Sequence, residues 1–131
     1  MVSYCYRFKD INGNIIYVGK TVDMSKRMEQ HFGGRGHLDK SCYKSVAVIE
    51  YQKYKTESDA LIMETYYITK YSPKYNKLGQ SRDTPTLKLE EKEWKTYQVL
   101  KKQVESTPES WGCLTWLLIG ALIYAIFQLI A

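Results

Sequence analysis

The sequence predicts an α/β protein of the α+β kind: a small three-stranded antiparallel sheet flanked by helices, then a linker helix and a C-terminal transmembrane helix. Three observations predict it. Residues 2–9 alternate apolar and polar and run into Asn12-Gly13, a hairpin signature. Two later stretches place apolar side chains three and four residues apart, the helical period. The last 21 residues, WGCLTWLLIGALIYAIFQLIA, are uncharged.

The first strand shows Val2, Tyr4, Tyr6 and Phe8 on one face and Ser3, Cys5, Arg7 and Lys9 on the other. The second is Ile15 to Gly19. With Asn12 and Gly13 as a two-residue type I′ loop, Ile11 pairs with Asn14, Phe8 with Tyr17 and Tyr6 with Gly19. Tyr6 and Tyr17 are then diagonal neighbours on one face, and the small Gly19 leaves space above the sheet. A helix follows, capped by Thr21 or Asp23 and running to about Phe32, with Met24, Met28 and Phe32 as its core stripe. Arg27 and His31, four apart, lie one above the other at the edge of that stripe. Gly33-Gly34-Arg35-Gly36 ends the helix as a basic loop, either a phosphate contact or simple punctuation.

Ser45 to Tyr51 is rich in β-branched residues and reads as a buried strand. A second helix starts at Thr56, with Glu57 and Asp59 in the first turn where the helix dipole favours acids, and runs to about Tyr71. Glu64 shares a face with Ala60, Tyr67 and Tyr71. A carboxylate among apolar side chains needs a cationic partner, which is an Arg or Lys of the domain or a metal ion. Pro73 and Tyr75-Asn76-Lys77 close the domain.

The net charge of +5 sits entirely in residues 1–80, since 81–110 is balanced and 111–131 is uncharged. That excess suits a polyanion or an acidic lipid surface. The three cysteines, Cys5, Cys42 and Cys113, are widely spaced, so neither a zinc site nor a disulfide framework is indicated. The chain divides into a domain at 1–80, a charged helical linker at 81–110 and a span at 111–131. The linker carries Trp94, Tyr97, Leu100 and Val104 in one stripe, which packs on the domain or lies at a membrane surface. As a helix the tail is about 31 Å long, matching a hydrocarbon core of about 30 Å. Lys101 and Lys102 precede it, so a single-pass C-terminal anchor is expected to keep the domain on the cytoplasmic side.

Tyr4-Cys5-Tyr6 and Tyr17-Val18-Gly19-Lys20-Thr21 resemble the paired motifs of the GIY-YIG nuclease superfamily. Arg27 stands where that family has its helix arginine, His31 where members carry His or Tyr, Glu64 at the metal-binding glutamate, and Asn76 at the Pro-x-x-Asn end. The resemblance covers residues 3–77; the first motif departs from Gly-Ile-Tyr but keeps its tyrosine. It implies hydrolysis of DNA phosphodiester bonds, on duplex or branched DNA, with one Mg2+ or Mn2+ ion held by Glu64. It further implies that Arg27 binds the scissile phosphate and Lys20 adds positive charge. Tyr6 or Tyr17 activates water, His31 orients a tyrosine or relays its proton, and Asn76 braces the Glu64 side of the cleft. The alternative is a non-catalytic nucleic-acid-binding module, or a membrane-associated interaction module, of the same fold.

Overall fold

The computed structural model describes residues 1–77, 85–101 and 124–129. Strands β1 (Ser3–Lys9) and β2 (Ile15–Thr21) are followed by helix α1 (Met24–Gln30), a π-type turn (His31–Arg35) and a short helix α2 (Lys40–Ser45). Strand β3 (Val48–Tyr54), helix α3 (Glu57–Tyr71) and strand β4 (Lys95–Val99) complete the order. The strands form one antiparallel sheet in the order β2-β1-β3-β4.

The hairpin keeps its expected register by an unexpected route. Tyr6 faces Gly19 and Phe8 faces Tyr17, but Lys9 faces Ile15. The loop is one residue longer than a type I′ turn. Gly13 N–H donates to the Asp10 carbonyl and Asp10 N–H to that of Asn14, while the Asp10 carboxylate accepts from the Asn12 and Asn14 amides. Gly13 sits at φ 82°, whereas Asn12 is not left-handed, so the mirror-image turn is ruled out. A bulge at Ile16 absorbs the extra residue and restores the pairing.

Two apolar layers sandwich the sheet. On one face Tyr6, Phe8, Tyr17 and Ile49 pack against Met24 and Met28 of α1 and Cys42 of α2. On the other, Cys5, Val18 and Tyr54 pack against Ala60, Met63, Tyr67 and Ile68 of α3. Asp23 is the cap of α1, its carboxylate accepting from Lys26 N–H; Thr21 Oγ1 supports it by accepting from Asp23 N–H. Thr56 caps α3.

Several expectations are corrected. The sheet has four strands, not three. Residues 85–94 are without regular structure and Lys95–Val99 is a strand, so the linker helix is absent over its described part. The open edge of β3 supplies a row of unpaired backbone groups, and pairing there outweighs the helical stripe. The stripe's aromatic residues do pack on the domain: Trp94 lies 4.9 Å from Tyr67 and 4.1 Å from the Arg7 guanidinium, and Tyr97 lies 6.2 Å from Tyr51. β3 starts at Val48 because α2 takes up the chain as far as Ser45. The third core position of α1 belongs to His31, 2% exposed, and not to Phe32, 38% exposed. Position 31 continues the stripe from Met24 and Met28 as well as position 32 does, and two tyrosines satisfy the imidazole there.

The expected membrane anchor is also corrected. Among the described residues no helix is long and apolar enough to cross a membrane. Of the tail only 124–129 is described, as helix. The single-pass anchor, the bilayer as partner and the cytoplasmic placement drawn from them are therefore withdrawn. The rest of 111–131, together with Val104 and Cys113, lies outside the described residues.

Candidate active site

The expected site residues gather around β2, the edge strand where the two layers meet. Tyr6 and Tyr17 project from the same face with ring centroids 6.0 Å apart. The space above Gly19 is not open: it holds the Tyr6 ring, and a Cβ on Gly19 would come within 2.5 Å of it. Gly19→Ala is expected to lower stability by about 1–3 kcal/mol through overpacking, read as a reduced urea midpoint, and to displace Tyr6.

Tyr6 is fully buried. Its hydroxyl accepts from Arg27 Nε at 3.2 Å and bonds His31 Nε2 at 2.7 Å. The helical spacing of Arg27 and His31 thus delivers a cation and an imidazole to one oxygen. His31 Nδ1 bonds the Tyr43 hydroxyl at 2.8 Å, and that hydroxyl also accepts from Leu38 N–H. Gly36 permits this arrangement, because a side chain there would collide with Tyr43. Burial pushes the Tyr6 phenol well above its ordinary value, with Tyr17 adding and Arg27 opposing. Burial raises Tyr17 as well, against the pull of Tyr6 and Arg27.

His31 is pushed down to about 4 by burial, with the charge of Arg27 and nearby His37 acting the same way. It is therefore neutral at pH 7. Its folded value lies below the unfolded one, so the unfolded chain binds the proton more tightly. The stability that this difference confers is complete above about pH 6.5 and is lost as pH falls toward 4. The expected loss is about 3 kcal/mol. Urea unfolding at the two ends of that window checks it, and His31→Gln should flatten the slope.

Glu64 projects from α3 into a cleft of about 340 Å³ that it lines with Tyr17, His37, Ile68, Tyr75 and Asn76. Burial raises its carboxyl above the ordinary range, and the charges of Lys20 and Arg27 draw it back. Among the described residues no hydrogen bond or ion pair reaches this carboxylate. The half-buried acid is thus left without a contacting counter-charge. Lys20 instead holds Glu57, 2.8 Å away, and with Arg27 lines another cavity. Asn76 is 8% exposed. It accepts from Val18 N–H and donates to Val18 C=O, both at 2.8 Å, and Tyr75 N–H donates to Ile16 C=O. The segment after α3 thereby satisfies the outer edge of β2 and fixes the strand that carries Tyr17.

Tyr6, Tyr17, Arg27 and His31 form one cluster, and Glu64 and Asn76 share a cleft with Tyr17. Lys20 lines a separate cavity with Arg27, and its charge draws the Glu64 carboxyl down. Sequence reasoning missed Tyr43 and His37. Tyr43 lies on the unforeseen α2. His37, one of two histidines, was legible only as a histidine beside a glycine-rich loop, yet its ring stands 5.4 Å from that of His31 and 6.3 Å from that of Tyr17.

Residues 2–76 match the family model of the GIY-YIG catalytic domain. The chain is 40% identical over 75 residues to UvrABC system protein C of Malacoplasma penetrans, covering 56% of this chain and 13% of that protein. It is 38% identical over 89 residues to UvrABC system protein C of Symbiobacterium thermophilum, covering 65% of this chain and 14% of that protein. It is also 40% identical over 88 residues to the Streptococcus pyogenes protein of the same name, with 65% and 14% covered. The chain thus spans about one seventh of the length of these relatives. With its motif residues assembled at one edge of an α+β sheet, this chain belongs to the GIY-YIG family and carries the family's nuclease-type catalytic domain over residues 2–76.

Proposed function

We propose that the chain is a metal-dependent endonuclease that hydrolyses phosphodiester bonds of DNA. The observation that carries this reading is the Glu64 carboxylate, half-buried and uncompensated in a cleft shared with Tyr17 and within the field of Arg27 and Lys20. Its chemistry fits a divalent cation. Among the described residues no group of three or more His, Cys, Asp or Glu comes together; the cleft is lined by two acids, Glu64 and Asp39, with Lys77 beside them. Magnesium favours one or two carboxylates with waters and phosphate oxygens. Bound by Glu64, such an ion would supply Lewis-acid charge to the phosphate and the leaving oxygen.

The chain's own groups do the rest. The Arg27 guanidinium binds the scissile phosphate while its Nε stays on Tyr6. Tyr17, on the cleft wall, is the base for the attacking water once its phenol has given its own proton to solvent, an ionisation that burial opposes and Arg27 favours. Tyr6 lies behind it, with its oxygen engaged by Arg27 and His31, and keeps both in place. Neutral His31, set between Tyr6 and Tyr43, orients the phenol without adding a second positive charge. Lys20 adds cationic charge beside Glu64, and Asn76 holds β2 and with it Tyr17. The test is incubation of the full-length chain with labelled plasmid and Mg2+ or Mn2+. Cleavage that vanishes with chelator and with Glu64→Gln supports the reading; no cleavage, or equal cleavage by the variant, defeats it.

A further inference from the structure

The sheet face that carries Tyr6 and Tyr17 does not end at the site. Directly paired residues on neighbouring strands project to the same side. One row across this face reads Thr21, Tyr4, Lys53, and the next reads Gly19, Tyr6, Tyr51, Lys95. Beyond the cover of α1 and α2 these rows leave a band of rings and ammonium groups. Tyr4 and Tyr51 are half-buried with centroids 6.0 Å apart. Tyr97, in the bulge of β4, is 38% exposed and stands 6.2 Å from Tyr51. Lys53 and Lys95 are exposed, and neither pairs with an acid among the described residues.

This band is continuous with the candidate active site. Tyr51 is the cross-strand partner of Tyr6. Thr21, the partner of Tyr4, lines a cavity with Lys20, Lys26 and Arg27. A strand whose phosphate rests on Arg27 therefore has a path past Thr21 onto the tyrosines, with lysines flanking it. Rings offer any base a stacking partner and lysines neutralise the backbone, the combination that holds single strands without reading sequence.

We propose that Tyr4, Tyr51 and Tyr97, with Lys53 and Lys95, form a stacking platform for unpaired DNA next to the cleavage site. The substrate on this account carries a single-stranded stretch adjoining the bond that is cut. The inference rests on the proposed nuclease reading for where the DNA lies, but its test does not require cleavage.

The test is fluorescence anisotropy of the full-length chain in chelator, using labelled oligothymidylate and a blunt duplex of the same length. Tyr97→Ala and Tyr51→Ala should each weaken binding of the single strand about 5- to 100-fold, with duplex binding changed about twofold or less. Tyr97→Phe and Tyr51→Phe should bind as the parent does, because stacking needs the ring and not the hydroxyl. Tyr97 lies on an exposed edge strand, so its replacement leaves the core intact. Equal losses on both probes, or no loss on the single strand, overturn the platform. Stacking without plasmid cleavage in Mg2+ would sink the nuclease reading alone; cleavage without selective stacking loss would sink the platform alone.

Discussion

Glu64→Gln is expected to reduce plasmid cleavage by about 10³-fold or more while making the folded domain more stable. The first effect follows from several kcal/mol of charge stabilisation lost with the cation's protein ligand, each 1.36 kcal/mol being about tenfold in rate. The second follows from burial. The carboxyl titrates above its ordinary range in the fold, so ionising it costs more there than in the unfolded chain. Its contribution to stability is therefore most favourable below the unfolded value and declines as pH rises through the folded one. Glutamine keeps the shape and removes that penalty, so its thermal midpoint should exceed the parent's at pH 7 and match it near pH 4. Thermal melts at both values, beside the cleavage assay, check the pair of effects. A site that gives up stability to hold an uncompensated acid is one arranged for a ligand.

Arg27→Lys is expected to cost about 10²-fold or more in turnover, although the charge is kept. Lysine has no planar fork and cannot hold phosphate and phenol together. Its ammonium would also leave Tyr6 without the 3.2 Å contact from Nε, and the buried phenol would lose one of its two partners. Tyr6→Phe should lower activity through the same cluster. The two substitutions combined should therefore do less damage than the product of their separate effects, as groups acting as a unit do. Kinetics of the three variants under saturating DNA decide it; full multiplicativity would place Arg27 and Tyr6 in separate roles.

Much of this was legible in the chain because local physics dictates it. Alternation in residues 2–9 gave the face of β1 that carries Tyr6 and Phe8, but not the burial of Ser3 and Cys5 on the opposite face, where Cys5 packs in the α3 layer. The caps of α1 and α3 follow from Asp23 and Thr56, whose oxygens meet amides three residues on. The Tyr6–Gly19 pairing was correct although the loop was misjudged, because a bulge compensated for the extra residue. What failed depended on tertiary context. Trp94, Tyr97, Leu100 and Val104 make a helical stripe in the sequence, and only the presence of an open β3 edge makes 95–99 a strand. His31 displaces Phe32 from the core because Tyr6 and Tyr43 meet both its nitrogens, and Tyr43 comes from a helix with no strong periodicity of its own. The apolar tail invited a membrane reading that no described helix supports. For the site, spacing along α1 put Arg27 and His31 side by side, but the engagement of Lys20 by Glu57 required the fold.

The account depends on a cation held by Glu64 within reach of Tyr17. Paramagnetic broadening of the protein's NMR signals by Mn2+ reads that directly. Broadening centred on Tyr17, His37 and Asn76 in the parent chain, and absent from Glu64→Gln, is the predicted result. Broadening that persists in the variant, or that centres on the acids at Glu90, Glu91 and Glu93, contradicts it.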